Sequence, residues 1–405
     1  MSEWNECALV EIAAPHRKAI ISGPFGSNIS RKFFTETGIP VIRGNNLSLS
    51  IGEKFIEDGF VFVSEDKANE LGTWAEEDDL VFTAAGTIGQ VGIIQGTKIF
   101  KRYIISNKQL RVTLDKSKIE PLFGYYWFAS PLMTDKIISC DTGSTIPLIN
   151  LSVLKALPIR LPPLSEQKAI ASVLSSLDDK IDLLHRQNKT LEAMAETLFR
   201  KWFVEEAQED WDEILITDLF EIRDGTHDSP KQSPVGKSLI TSRHIETNRL
   251  DFKNTYLISE EDFNEVNKRS KVETNDILFS MIGTIGLTYL EQSETVDYAI
   301  KNIGLFKTSQ NLDWCYYTLL WLNSSLGKDF VHEYRSGSTQ EYIALGSLRS
   351  IVFYAPPKDF LLKFNGVIHP YFEKIKNSML QIRTLEKLRD TLLPKLMSGE
   401  VRVEL

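Results

Sequence analysis

The sequence consists of two similar copies placed one after the other, and this repeat limits what the chain can fold into. The segment Asp79–Gly89 (DLVFTAAGTIG) returns as Asp276–Gly286 (DILFSMIGTIG), so position 79 matches position 276 at an offset of 197 residues. Shorter matches follow in the same order: Gly143–Thr145 returns as Gly337–Thr339, and Pro162–Pro163 returns as Pro356–Pro357. Repetition of one unit predicts two domains of the same fold rather than one large domain.

The last part of each copy has the pattern of a long helix, over about 165–204 and about 360–397. Apolar side chains in these segments alternate spacings of three and four residues, which is the seam of a two-helix coiled coil. The seam residues are Ile181, Leu184, Asn188, Leu191 and Leu198 in the first helix, and Ile375, Ile382, Leu385 and Leu392 in the second. Arg389 interrupts the second seam, and Pro370 and Pro394 predict that the second helix is broken or kinked near them.

Helices of this length are suited to act as spacers, because about 1.5 Å per residue makes each of them roughly 50–60 Å long. We predict that the two helices pair antiparallel and hold two globular heads at a set distance. The alternative is that each helix only caps its own domain.

Each copy begins with a globular head that mixes short β-rich stretches with a short apolar helix, as at Leu80–Phe82 and Phe123–Phe128. The predicted fold class is therefore α+β, with two tandem pseudo-repeated α/β domains separated by two long helices that form an antiparallel coiled coil. The predicted boundaries are 1–157 for the first head, 158–206 for the first helical region, 207–355 for the second head and 356–405 for the second helical region.

Composition excludes a disordered or membrane-spanning chain. Of 405 residues, 42% are hydrophobic and 25% are charged, which are ordinary globular values. The acidic start of the chain does not resemble a signal peptide, and apolar runs such as Tyr316–Leu322 are too short to cross a bilayer. Three isolated cysteines suit a reducing compartment. We therefore expect a soluble cytoplasmic protein without a membrane partner.

No motif for catalysis or metal binding is readable. The six histidines are scattered without metal-ligand spacing, and a phosphate-binding Gly-x-x-x-x-Gly-Lys-Ser/Thr loop is missing. The sequence therefore predicts a binding protein with no catalytic residue and no metal site. The Gly-Thr-Ile-Gly segments around Thr87 and Thr284 fit a hairpin turn, and the alternative is a backbone contact to a phosphate or base.

Local charge indicates what such a protein could bind. The net charge of −9 argues against coating nucleic acid by bulk charge, but the stretch 95–114 contains no acidic residue. Basic side chains in the two copies that suit DNA phosphates are Lys101, Arg102 and Lys108 in the first, and Lys268, Arg269, Lys271 and Lys301 in the second. An ordinary solvated surface is the alternative for each group taken alone.

Candidate base-reading residues follow a short strand at the same place in each copy. Direct base reading uses Arg, Asn, Gln and similar polar side chains. The candidates are Arg43, Asn45 and Asn46 in the first copy, and Ser242, Arg243 and His244 in the second. Two domains that recognise different short DNA sequences are expected to carry different side chains at equivalent positions. The alternative is that these are ordinary polar residues of a turn.

The sequence resembles the specificity subunits of type I restriction-modification systems. The segments that carry the resemblance are Ser22–Asn28 (SGPFGSN), Gly38–Asn45 (GIPVIRGN), Gly86–Gly89, Gly143–Thr145 and, above all, Leu161–Ile170 (LPPLSEQKAI) leading into a long helix. The second copy departs from the pattern where Pro356–Phe360 (PPKDF) replaces the first copy's Pro162–Glu166 (PPLSE). The resemblance nevertheless covers nearly the whole chain.

The resemblance implies that the heads are two target-recognition domains, each reading one half of a bipartite target in double-stranded DNA. It also implies that the helices dock two modification subunits, which act as an adenine methyltransferase, and that restriction subunits join the complex. S-adenosylmethionine, ATP and Mg would then belong to partner subunits, and this chain would hold no cofactor. The main rival hypothesis is a helical bridging protein without DNA sequence specificity.

Overall fold

The fold is described from a computed structural model that covers residues 4–95, 99–208, 210–246, 248–337 and 340–403. The chain divides into two compact units, each of which contains one head and parts of both long helices. Unit 1 comprises Met1–Leu183 with Ile382–Leu405, and unit 2 comprises Leu184–Gln381. Head 1 and head 2 denote the parts of these units that lie outside the long helices.

Head 1 contains short strands and short helices. Its strands are β1 (Asn5–Ala8), β2 (Ile20–Ser22), β3 (Phe34–Thr35), β4 (Ile39–Ile42), β5 (Val61–Val63), β6 (Trp74–Ala75), β7 (Leu80–Thr83), β8 (Val91–Ile93), β9 (Tyr103–Ile105), β10 (Gln109–Val112) and β11 (Pro158–Leu161). Its helices are α1 (Glu65–Leu71), α2 (Pro121–Phe128), α3 (Pro131–Ser139) and α4 (Leu151–Lys155), and the long helix α5 (Leu164–Arg200) follows. A π-helical turn, Lys201–Glu205, extends α5.

Two sheets form the centre of head 1, with strand orders β2-β10-β7-β8 and β3-β5-β4-β9-β6, and β1 pairs separately with β11. All pairs are antiparallel except β4 with β9. Helix α2 carries seven buried residues on all sides, so it lies in the core rather than on the surface.

Head 2 repeats this plan. Its strands are β12 (Asp212–Leu215), β13 (Ile222–Asp224), β14 (Lys237–Thr241), β15 (Ile245–Glu246), β16 (Arg249–Leu250), β17 (Tyr256–Ile258), β18 (Ile277–Ser280), β19 (Thr288–Leu290), β20 (Tyr298–Lys301), β21 (Ile303–Phe306) and β22 (Val352–Ala355). Its helices are α6 (Glu260–Ser270), α7 (Cys315–Asn323), α8 (Ser325–Tyr334) and α9 (Leu345–Arg349), followed by α10 (Lys358–Ser398). The sheet order β13-β21-β18-β19 matches β2-β10-β7-β8 of head 1. The three-stranded sheet β17-β14-β20 matches the central part, β5-β4-β9, of the five-stranded sheet of head 1, including one parallel pair, β14 with β20.

A buried carboxylate at the start of a central strand is common to both heads. Asp79 accepts hydrogen bonds from the Glu76 amide (2.9 Å) and the Thr113 hydroxyl (2.5 Å), with the Arg111 Nε at 3.6 Å. Burial raises the pKa of Asp79, although Arg111 acts in the opposite direction. In head 2, the equivalent Asp276 pairs with the buried Lys307 Nζ at 2.5 Å.

The two long helices pack against each other in each unit, as the seam predicted. In unit 1 the start of α5 (Ile170, Leu174) shares a core with the end of α10 (Leu393, Leu396). In unit 2 the end of α5 (Ala195, Phe199) shares a core with the first half of α10, including Phe364 and Ile368. Both pairings have the antiparallel sense, so the predicted fold class is confirmed.

The prediction was that the second helix is broken or kinked near its prolines, and a break is wrong, because α10 runs without interruption from Lys358 to Ser398. Pro370 and Pro394 remove hydrogen bonds to the carbonyls of Gly366 and Asp390. All four residues are on the exposed side of the helix, where water can bind the freed carbonyl groups. The missing bonds therefore cost too little to end the helix.

Candidate nucleic-acid interface

Four connections of head 1 meet at one end of its sheets, and we call this place the head 1 junction. They are the loop 23–28 after β2, the turn 43–46 after β4, the β7–β8 loop 84–90 and the β9–β10 turn 106–108. Backbone hydrogen bonds join them, from the Gly23 amide to the Gln109 carbonyl (2.9 Å), from Ser106 to Ile42 (2.9 Å) and from Ala84 to Lys108 (2.7 Å). The predicted residues Arg43, Asn45, Thr87 and Lys108 all lie on these connections.

Asn46 is a structural residue of this junction. It is fully buried, and its Oδ1 accepts a hydrogen bond from the Arg43 amide at 3.0 Å. Its Nδ2 donates to the carbonyls of Ile56 (3.0 Å) and Asp58 (2.8 Å). Because both ends of the amide are occupied, Asn46 fixes the turn. The half-buried Arg43 and the exposed Asn45 lie beside it, and both side chains donate to the Gly59 carbonyl, at 3.1 Å and 3.3 Å.

Head 2 builds an equivalent junction from 225–230, 241–244, 281–287 and the β20–β21 connection at Asn302. The Gly225 amide donates to the Ile303 carbonyl at 2.9 Å, as Gly23 does to Gln109 in head 1. Ser242 has a connecting role here, since its hydroxyl donates to the Asn302 carbonyl (2.8 Å) and accepts from the Met281 amide (3.2 Å). Ser242 is buried, and its hydroxyl is therefore committed to the fold.

His244 does in head 2 what Asn46 does in head 1. It is 1% exposed, and its Nδ1 accepts a hydrogen bond from the Thr241 amide at 2.9 Å. Burial, and then the neighbouring Arg243 charge, lower the pKa of His244, so the ring is neutral at physiological pH. The Nε2 lies 3.1 Å from the Arg243 Nε and 3.3 Å from the Asn254 carbonyl oxygen, so both ring nitrogens have neighbours within the head. Of the three predicted residues in this turn, Arg243 is the exposed one.

The Gly-Thr-Ile-Gly segments form the predicted hairpin turns, between β7 and β8 and between β18 and β19. Gly86 and Gly89 have φ values of 100° and 97°, and Gly283 and Gly286 have values of 79° and 94°. These left-handed conformations explain the glycines. Thr87 and Thr284 are both exposed, and they occupy the same position in the two turns.

The predicted basic residues differ in their freedom to bind phosphate. Lys101 and Lys108 are exposed, whereas Arg102 pairs with Glu65 at 2.8 Å and stacks over Trp74 at 4.2 Å. In head 2 each predicted basic side chain has a local partner: Lys268 binds Glu265, Arg269 binds Asp224, Lys271 lies 3.7 Å from Glu273, and Lys301 binds Ser229. The positive charge of head 2 is therefore partly neutralised within the head.

Sequence reasoning missed several side chains of the head 1 junction. Gln90 donates to the Leu47 carbonyl at 2.9 Å and accepts from the Thr83 hydroxyl at 2.8 Å. Gln109 is fully buried, and its Nε2 has no hydrogen-bond partner among the described residues. Phe25 is 84% exposed, the highest value among large apolar side chains of the described residues. The Gly-Pro-Phe-Gly motif was the one sequence signal for this loop.

The predicted seam residues line the inner sides of the long helices to different degrees. Buried members are Ile181, Leu184, Asn188, Ile375 and Ile382, and half-buried members are Leu191, Leu198, Leu385 and Leu392. Near the end of α5, Phe199 is buried at 1% exposure whereas Leu198 is half-buried. Near the end of α10, Leu393 is buried at 2% exposure whereas Leu392 is half-buried. In both helices the side chain next to the predicted seam position is therefore the more buried one.

A buried polar cluster joins head 1 to the helices within unit 1. The Arg389 Nη1 binds the Asp178 Oδ1 at 3.0 Å, and the Tyr126 hydroxyl donates to the Asp178 Oδ2 at 2.6 Å. Burial acts to lower the pKa of Arg389, but the hydrogen bond and charge of Asp178 outweigh it and raise that pKa. Arg389, predicted to interrupt the seam, therefore forms part of the buried interface.

Two features are absent from the residues that the structure describes. No group of three or more His, Cys, Asp or Glu side chains is placed to hold a metal ion. No helix in the same residues has the length and apolar character needed to cross a membrane.

Comparisons with known proteins agree with the duplicated architecture. The family model described as the type I restriction modification DNA specificity domain matches twice, over residues 1–193 and 208–382. The chain is 27% identical over 354 residues to the type I restriction enzyme MjaIX specificity subunit of Methanocaldococcus jannaschii, covering 80% of this chain and 78% of that protein. It is 25% identical to the EcoKI specificity subunit of Escherichia coli K12, covering 79% and 72%.

A solved structure has the same fold. The S subunit of a type I restriction-modification system from M. genitalium superposes with a TM-score of 0.56 over 97% of this chain and 96% of that one, at 16% identity. Two matches to one DNA specificity domain correspond to the two heads of this chain, each with its own junction. The protein thus belongs to the type I restriction-modification DNA specificity family, as a specificity subunit that carries the family's domain twice.

Proposed function

We propose that each junction reads one half of a bipartite target in double-stranded DNA. The observation that carries this proposal is that two equivalent junctions carry different side chains. They share the backbone bond of Gly23 or Gly225 and a turn closed on a backbone amide by Asn46 or His244. Head 1 has Arg43 and Asn45 there, which donate to the Gly59 carbonyl, whereas head 2 has Thr241 and Arg243, which contact the His244 ring. Binding to a base would replace these local contacts. Arginine suits guanine and asparagine suits adenine in the major groove, so the two heads would recognise different short sequences.

The paired helices set the number of unread base pairs between the half-sites in this proposal. Helix α5 has 37 residues and α10 has 41, which corresponds to about 55–60 Å at about 1.5 Å per residue. A pair of helices packed along buried seams is stiff compared with a flexible linker. This stiffness supports a fixed spacer rather than a range of spacers.

The remaining activities of the complex would belong to partner proteins. We expect two modification subunits to dock on the duplicated chain, one for each copy, and restriction subunits to join them in the cytoplasm. S-adenosylmethionine, ATP and Mg would bind to those partners, and this chain would contribute no catalytic residue. The −9 net charge is compatible with DNA binding that depends on local exposed groups and on the partners' surfaces.

Selection from random DNA tests the proposal. The chain is assembled with its modification subunits, and bound duplexes are recovered and sequenced. We expect two short conserved blocks separated by a fixed number of unconserved positions. The matched control is a chimera in which residues 1–157 come from another specificity subunit, which should change one block and keep the other. Recovery of no conserved sequence by the assembled complex would contradict the proposal.

A further inference from the structure

One side chain of the head 1 junction is unsuited to a free protein surface. Phe25 is 84% exposed, and an aromatic ring in water gains nothing from folding. We propose that Phe25 stacks on a base of the half-site read by head 1, and this inference rests on the proposed function. Stacking uses the flat face that all bases share, so Phe25 would position one base rather than identify it. In a duplex this contact requires the base to be partly unstacked from its neighbour, as apolar side chains inserted at a base step do.

The loop holds the ring in a defined place. A Cβ at Gly23 would overlap the Ser106 carbonyl, and a Cβ at Gly26 would lie 3.1 Å from the Asn107 Nδ2. Pro24 fixes its own φ angle, and the Phe25 carbonyl accepts a hydrogen bond from the Asn28 amide at 2.8 Å. The exposure of the ring therefore results from a constrained backbone.

The surroundings of Phe25 favour nucleic acid over a protein partner. The Gly23 amide of the loop donates to the carbonyl of Gln109, the residue directly after the turn that carries the exposed Asn107 and Lys108. This turn is also bonded to the end of β4, directly before Arg43. One aromatic ring among polar and basic groups is typical of single-base stacking sites, whereas the core of a protein interface collects apolar residues and is depleted of charge.

Head 2 places another planar ring at the equivalent position. Counting from the matched glycines Gly23 and Gly225, Phe25 corresponds to His227, whose side chain is 66% exposed. The His227 Nδ1 lies 2.8 Å from the Asn302 Oδ1, and its Nε2 lies 2.8 Å from Asp224. Both junctions thus hold a flat side chain at the same point of the same loop, which is the expected pattern if each head stacks on one base.

The test uses the complete complex with modification subunits, bound to its selected bipartite DNA. We expect Phe25→Ala to weaken binding by about 5- to 150-fold, the range measured for loss of one base–aromatic stack. The salt dependence of binding should stay unchanged, because no phosphate contact is lost. Phe25→Trp should retain the affinity, whereas Phe25→Leu, which is apolar but not planar, should not.

A base analogue locates the contact. With 2-aminopurine placed at successive positions of the head 1 half-site, one position should change fluorescence on binding by wild type and by Phe25→Trp, but not by Phe25→Ala. The control is Leu132→Ala, which removes an apolar side chain that is 76% exposed on α3 and should leave this signal and the DNA affinity unchanged. Size-exclusion chromatography verifies that every variant assembles.

Three results would overturn the inference, in distinguishable ways. If wild-type complex selects a bipartite sequence and Phe25→Ala binds it equally well, the stacking role is wrong and the proposed function stands. If Phe25→Ala fails to assemble with the modification subunits, the ring is a protein contact. If the wild-type complex selects no sequence, the proposed function itself fails and the stacking role fails with it.

Discussion

The buried pair of Asp178 and Arg389 offers the sharpest test of how head 1 is held on the helices of unit 1. Both residues are 4% exposed, and the Arg389 Nη1 lies 3.0 Å from the Asp178 Oδ1. Asp178→Asn preserves the shape and an acceptor for the Tyr126 hydroxyl, but it removes the charge that compensates the guanidinium. The remaining carboxylate, Asp390, is 54% exposed and therefore screened by water.

Removal of one partner of a buried ion pair costs about 3–5 kcal/mol, because the other charge stays buried without compensation. We expect Asp178→Asn to lower the free energy of unfolding of unit 1 by an amount in this range. Asp178→Asn combined with Arg389→Met should recover a large part of the loss, since neither charge remains. The coupling between the two positions should exceed about 1 kcal/mol.

Hydrogen exchange measured by mass spectrometry resolves the effect to unit 1. Peptides covering α2 (Pro121–Phe128) and the first half of α5 report the opening free energy of the region that holds the cluster. The control is Glu6→Gln, which breaks the exposed pair of Glu6 with Arg160 and should change stability by no more than about 0.5 kcal/mol. A loss below about 1 kcal/mol for Asp178→Asn, or a double variant no better than the sum of the singles, would refute the reasoning.

Three further predictions concern the helices, the junctions and the cysteines. Deletion of one heptad from each long helix shortens the pair by about 10 Å. Selection from random DNA should then show an altered spacer with both half-sites retained. Altered half-sites would contradict the proposal that the helices set the spacer. His244→Ala should destabilise the head 2 turn by about 1–3 kcal/mol in hydrogen exchange, whereas His244→Asn should be tolerated because Asn46 does the same task in head 1. Burial raises the pKa of Cys315 to about 12, so alkylation at pH 8 should label the half-buried Cys140 and leave Cys315 unmodified until the protein unfolds.

The repeat and the helix seams could be predicted from the sequence because they are periodic. Apolar residues spaced three and four positions apart indicate which side of a helix is buried, whatever that side packs against. Arg389 shows the limit of this reasoning. Its partner Asp178 lies 211 positions away in the chain. The spacing within α10 therefore identified Arg389 only as an interruption of the seam, whereas in the fold Arg389 forms a buried contact.

The candidate site was predictable in position but only partly in role. The two candidate segments form short turns directly after a strand in both heads, as the repeat predicted. Asn46 and His244 are residue types that can read bases, yet the fold uses both to close a turn through a backbone amide at the same position. Residue type alone cannot separate these uses, because the same donors and acceptors serve a base edge and a backbone group equally well.

The repeat itself creates a folding problem, which the buried ion pair helps to solve. Two copies of one unit offer two long helices to each head, and a head that packed on the wrong helix would form a mismatched unit. At the repeat offset of 194, Asp178 corresponds to Phe372 and Arg389 corresponds to Ala195, and both of these are buried in the core of unit 2. In an exchanged arrangement, head 1 would meet Phe372 where Tyr126 now finds its carboxylate, leaving a buried hydroxyl without an acceptor at a cost of about 1–3 kcal/mol. The displaced Asp178 would enter the core of unit 2 at the place of Phe372, which stacks on Tyr316, and it would be separated from the Arg389 charge that compensates it in the correct arrangement. The pair of Asp178 and Arg389 is present in unit 1 and has no charged counterpart in unit 2. It therefore disfavours the exchanged arrangement far more than it stabilises the correct one.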